Sequence, residues 1–160
     1  MDFITNNLNL LIWGSAGLAI LYGLWLIAEI LGKPAGDEKM QEIAKAIQEG
    51  AAAYLSRQYM VVVLVAIVMA VIIYFTLGQN STIGFLIGAF FSALAGFIGM
   101  SVAVRANVRV AEAAKNGLEP AFNLAYKGGA VTGFLVVGLA LASVYGFYQY
   151  TGGDFRALIG

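Results

Sequence analysis

The sequence has 160 residues, 61% of them hydrophobic and 11% charged, with a mean hydropathy of +0.84. Soluble domains average about 45–50% apolar and 25% charged residues, so this is a membrane composition. Nine basic residues balance nine acidic ones, which leaves no net field to gather nucleic acid, and the absence of His and Cys excludes disulfides, thiolate metal sites, Ser–His or Cys–His dyads and imidazole relays within these residues.

The first apolar segment, residues 8–31, is long enough to cross a bilayer, for which about 20 residues suffice. The acidic start Met1-Asp2-Phe3 and the length of the apolar run predict a retained span rather than a cleaved leader. Trp13, Tyr22 and Trp25 lie along this span as packing residues or interfacial anchors. The stretch Gly32-Lys33-Pro34-Ala35-Gly36 breaks the helix, because Pro lacks an N–H and biases its predecessor away from the α region, and Asp37 then offers an N-cap.

From there Met40, Ile43, Ala44, Ile47, Ala51, Tyr54 and Leu55 recur at helical spacing, opposite Glu38, Lys39, Glu42, Lys45 and Glu49. Nothing stops this amphipathic helix before the apolar run MVVVLVAIVMAVIIYFTL, so one helix is expected to pass from water into lipid, with the span at 58–77. At about 1.5 Å per residue, 37–77 would be roughly 60 Å long, about half of it outside a bilayer core of roughly 30 Å. Glu38 and Glu42 are spaced i, i+4 but lie on the water-facing side and read as structural rather than as Mg²⁺ ligands.

Residues 78–82, GQNST, form a short uncharged turn in this reading, and a third span returns over 83–104. Gly84, Gly88, Ser92 and Gly96 recur every four residues along it and predict a close helix interface. The same helix is expected to continue through RANVRVAEAAKNG, with Arg109–Glu112 and Glu112–Lys115 at i, i+3, until Gly117 ends it and Pro120 delays the next. Arg105 and Arg109 share one face at the lipid boundary as snorkelling anchors. A fourth span is predicted over 130–148 after Lys127-Gly128-Gly129, with Gly138, Ala142 and Gly146 as its own small-residue stripe. Phe155 to Gly160 opens a further apolar segment, so the chain is expected to be a piece of a longer protein.

The expected fold is therefore all-α: four antiparallel transmembrane helices with two long cytoplasmic helical extensions, 32–57 and 105–129. Eight of the nine Lys and Arg residues lie in those extensions and only Arg156 on the other side, which places them in the cytoplasm and the N-terminus outside. Arg57, Arg105 and Arg109 mark the cytoplasmic interface. Mixed signs describe solvated helix faces, no phosphate-binding glycine loop or metal cluster is present, and no ionisable residue lies in mid-span, so the residues themselves offer no catalytic, substrate-binding or metal site. A stand-alone four-span scaffold or a small transporter subunit fits the same pattern.

Three blocks go further. GAAAYLSRQY (50–59), SALAGFIGMSVAVRANVRVAEAA (92–114) and KGGAVTGFLVVGLAL (127–141) resemble the N-terminal region of membrane-integral, ion-pumping inorganic pyrophosphatases, collinearly over 36–141, with GMSVAVRANVR the most specific part. The resemblance implies a homodimeric protein of about sixteen spans, each of roughly 20 residues, in a bacterial or archaeal cytoplasmic membrane. It implies hydrolysis of Mg²⁺-pyrophosphate on the cytoplasmic side, coupled to outward pumping of H⁺ or Na⁺, with later helices of the same protein as partners; which ion is pumped and any K⁺ dependence are not legible in these residues. The first four spans would belong to a supporting outer ring. The Asp-rich substrate and gate motifs of such proteins have no matching position here, so no catalytic residue carries over and the 160 residues alone are expected to be inert.

Overall fold

The computed structural model describes residues 2–153, with side chains from residue 7 onward; Arg156 and the segment from Phe155 to Gly160 lie outside them. Four helices follow one another: α1 Asp2–Leu31, α2 Glu38–Leu77, α3 Gln79–Ala114 and α4 Leu118–Tyr150. Each contains a stretch long and apolar enough to cross a membrane.

Helix α2 runs 40 residues without a break, and the Asp37 carboxylate accepts the Met40 backbone N–H at 2.9 Å, so the expected cap and the continuous helix are both present. Two boundaries differ from the sequence reading. The turn expected over 78–82 shrinks to Gly78 alone, whose φ of 87° is open to glycine at little strain, and α3 starts at Gln79. Thr82 closes that first turn, bonding to the Gly78 carbonyl through both its N–H and Oγ1, while Ser81 is buried. At the other end α4 starts at Leu118, twelve residues before the expected span, after a turn at Gly117 with φ 119°. Pro120 does not delay it, because an N–H in the first helical turn has no intrahelical acceptor to lose. Gly128 and Gly129 lie inside this helix, Gly128 against the Ala106 methyl.

The residue pairs fix the directions. Gly84 meets Phe147, Gly99 meets Thr132 and Ala106 meets Gly128, so α3 and α4 are antiparallel. Asn9 meets Tyr145, Ile20 meets Gly138 and Glu29 meets Lys127, so α1 and α4 are antiparallel as well. In space the helices follow the order α2, α3, α4, α1: α2 packs on α3 alone among the described residues, and α1 reaches α3 only weakly, at the end where Arg109 sits. The buried core is made where α1, α3 and α4 converge, from Leu26, Ile30, Val102, Ala106, Leu124, Val131 and Leu135. The outer faces of α2 stay open, with Met60, Leu64, Val68, Ile72 and Phe75 all exposed, as lipid-facing side chains should be.

Candidate functional site: the charged end of the bundle

The end of the bundle where α1 stops and α3 gives way to α4 carries the chain's densest polar contacts. Helix α1 ends at Leu31 and leaves carbonyls without intrahelical donors. Arg109 supplies donors from α3: Nη2 reaches the Leu31 carbonyl and Nε the Lys33 carbonyl, both at 3.1 Å, and Nη1 bonds the Arg105 carbonyl of its own helix at 2.8 Å. A guanidinium is suited to this because its five N–H groups spread in a fixed plane, and its charge complements the negative end of the α1 dipole. The snorkelling expected of Arg109 is therefore replaced by a clamp on α1, and Glu112 is not its partner. The Arg105 guanidinium donates to the Ser101 carbonyl one turn back, and Arg57 is exposed with no ion-pair partner among the described residues.

Glu29 and Lys127 form the second clamp. Nζ lies 2.5 Å from Glu29 Oε1, joining α1 to α4 with side chains 21% and 30% exposed, enough burial to make the pair matter. The other carboxylate oxygen, Oε2, is buried with no hydrogen-bond partner. Outside, Lys115 bridges Glu112 at 2.6 Å and Asp37 at 3.4 Å, tying the α3 end to the α2 cap. The Met40 N–H bond holds the Asp37 carboxyl below its ordinary range, with Lys115 adding to it, and the hydrogen bond from Lys115 to Glu112 holds the lysine above its own.

Glu29, Lys33, Arg109, Glu112 and Lys127 line a 520 Å³ pocket. Mg²⁺, implied by the resemblance, finds no home in it: among the described residues no three carboxylates, His or Cys converge on a point, and Glu29 and Glu112 each already hold a lysine. The clamp pair was missed in the sequence because residues 98 apart share no local periodicity; the only signal was Glu29, an acid one turn before the helix-breaking glycine.

The small-residue positions divide. Gly138 and Gly146 lie against α1, where a Cβ on Gly138 would stand 2.7 Å from Ile20 and one on Gly146 3.4 Å from Trp13. Gly84 meets Phe147 and Gly96 meets the Tyr59 hydroxyl, but Gly88 has nothing within 4 Å, Ser92 is exposed, and Ala142 is half-buried. A repeat of four residues drifts around a helix of 3.6 residues per turn, so the stripe does not stay on one contacted side. Gly99, outside that register, makes an α3–α4 approach as close as that of Gly84: an added Cβ would stand 2.6 Å from Thr132 Oγ1, and at Gly84 2.6 Å from the Phe147 ring.

A bundle of four helices long and apolar enough to cross a membrane, with one charged rim, is an integral membrane protein. Its lineage is specific: the profile of the inorganic H⁺ pyrophosphatase family matches residues 17–158, and the chain belongs to that family. It is 46% identical over 136 residues to the K⁺-insensitive pyrophosphate-energized proton pump of Methanosarcina mazei, covering 83% of this chain and 20% of that protein. It is 44% identical over 137 residues to K⁺-insensitive pyrophosphate-energized proton pump 2 of Moorella thermoacetica, covering 85% and 20%. Against the K⁺-stimulated pyrophosphate-energized sodium pump of Thermotoga maritima it is 41% identical over 127 residues, covering 78% and 18%. The chain thus spans about a fifth of the length of these relatives, in their N-terminal region.

Proposed function

We propose that this chain is the N-terminal, supporting part of a homodimeric pump that couples hydrolysis of Mg²⁺-pyrophosphate to movement of H⁺ or Na⁺ across a bacterial or archaeal cytoplasmic membrane. The observation that carries the reading is collinear identity over four fifths of the chain to pumps of both ions, joined to four helices long enough to span a bilayer. In this reading the two charged extensions face the cytoplasm and the N-terminus lies outside. The Mg²⁺-pyrophosphate site is assigned to parts of the longer protein beyond these residues, in keeping with a rim whose acids are engaged by lysines or open to solvent. The 160 residues serve it by holding helices in register, and Gly88 and Ser92, bare in this bundle, turn toward the remaining helices of the same protein.

The test is made on inverted membrane vesicles carrying the protein at its natural length. Addition of Mg²⁺ and pyrophosphate should release phosphate and drive H⁺ or Na⁺ uptake, while the 160-residue chain purified in detergent should release none above background. Vesicles that bind or split no pyrophosphate would remove the pump reading, and phosphate release by the short chain, lost on mutating its own carboxylates, would place a site within it.

A further inference from the structure

We propose that the α1/α4 side of the charged end is a binding site for one phospholipid with a primary-amine headgroup, phosphatidylethanolamine in chemistry. The proposal stands on bundle geometry alone and does not depend on the pump reading. Two cavities meet there. The 520 Å³ pocket holds the polar groups, and a second, of 460 Å³, shares Glu119, Asn123 and Lys127 with it and continues down the outside of the bundle. The walls of the second are Tyr22, Leu26, Phe122, Tyr126 and Phe134, and Tyr22 and Phe134 meet edge to face at 4.8 Å. Along α4 the groove runs from Glu119 to Phe134, about 22 Å at 1.5 Å per residue, passing from the charged rim to the apolar part of both helices. A groove polar at its head and aromatic along its length, at the depth where the apolar segments begin, matches a lipid in both halves.

The headgroup chemistry follows from which groups are left over. Glu29 is held by Lys127, whereas among the described residues the Glu119 carboxylate and the Lys33 ammonium make no ion pair. Arg109 spends one N–H from each of Nη1 and Nη2 on carbonyls and retains another on each. A pocket with a spare acceptor and spare donors suits a zwitterion: a primary ammonium offers its N–H groups to the exposed Glu119, and the phosphate accepts from Lys33 and Arg109. An anionic lipid would satisfy Lys33 and Arg109 but bring no cation to Glu119, and a choline headgroup has no N–H to give.

The experiment uses the protein at natural length, delipidated in mild detergent and titrated with phosphatidylethanolamine, phosphatidylcholine or phosphatidylglycerol of identical acyl chains, with adducts counted by native mass spectrometry. A retained one-to-one phosphatidylethanolamine adduct is expected, surviving activation that strips the other two. Glu119 is exposed and unpaired, so Glu119→Gln should fold normally and weaken that adduct about tenfold, the worth of one charge-assisted hydrogen bond. Phe122→Ala with Tyr126→Ala should weaken it through the groove. Equal retention of phosphatidylglycerol, an adduct indifferent to Glu119→Gln, displacement by soluble glycerophosphoethanolamine, or no retained lipid because other helices fill the groove would each overturn the proposal.

Discussion

Glu29 and Lys127 form the least exposed ion pair of the charged rim among the described residues. Removing one partner of a fully buried ion pair costs about 3–5 kcal/mol, and a pair that keeps some solvent contact should lose less, on the order of 2 kcal/mol. Lys127→Met is therefore expected to lower thermal stability in detergent, with Glu29→Gln/Lys127→Met recovering part of the loss; a double variant as unstable as the summed single ones would mean that the two side chains are not coupled. Asp37 and Lys115 behave differently because both are open to solvent. The folded-state pKa of Asp37 is lowered from 3.8, so its contribution is in place above that value and is lost as pH falls through the folded one. That of Lys115 is raised from 10.5, so its contribution is in place below that value and is lost as pH rises through the folded one. The melting-temperature deficit of Asp37→Ala should thus be constant from pH 5 to 9 and close in strong acid, and a deficit that changed across neutrality would point to another group.

At the scale of helices, the contacts that tolerate no added atom are few. A Cβ at Gly138 would meet the Ala16 carbonyl at 3.1 Å and the Ile20 nitrogen at 3.2 Å, and backbone cannot turn away as a side chain can. At Gly99 it would meet Thr132 Oγ1 at 2.6 Å and the Thr132 Cβ at 3.2 Å, which rotation about χ1 leaves in place. Gly138→Ala and Gly99→Ala should each destabilise the bundle by about 1–3 kcal/mol, as overpacking does, while Gly88→Ala should leave the contacts among these four helices unchanged. Comparable melting temperatures for all three would show that the helices slide apart freely. The contrast marks what is legible in such a sequence. Helix α2 could be traced whole because no Gly-Pro pair or polar cluster interrupts 38–77 within a pattern that turns from amphipathic to apolar. The starts of α3 and α4 could not, because Gln79 to Thr82 and Pro120 are turn formers in water and ordinary first-turn residues once a preceding glycine has made the reversal. The site was less legible still: Arg109 could be singled out, but that it serves the end of α1 depends on the α2–α3–α4–α1 order, which no local period encodes.

At the scale of the whole molecule, the proposed orientation rests on the charges. The helix ends bring Lys33, Arg105, Arg109, Lys115 and Lys127 to one rim, and Lys39, Lys45 and Arg57 lie on the half of α2 that extends from it. At the opposite end the contacts among the described residues are uncharged: Trp13 Nε1 donates to Gln149 at 3.2 Å, and the Tyr145 hydroxyl and Gln149 amide both donate to Asn9. Basic residues beside a span are retained on the cytoplasmic side, and those here are held in place by helix-capping and ion-pair contacts, so reversing the molecule would carry the whole rim across the bilayer. Single cysteines at Glu49 and Lys115 should accordingly be shielded in intact cells from a membrane-impermeant thiol reagent and react once the cells are opened, whereas cysteines at Gln79 and Thr151 should react from outside. The absence of Cys from these 160 residues leaves no background from the segment itself. Because α2 and α3 reverse at Gly78 alone, Glu49 and Gln79 must report opposite sides; labelling of both from outside would contradict a membrane crossing between them, and labelling of Glu49 alone would invert the orientation.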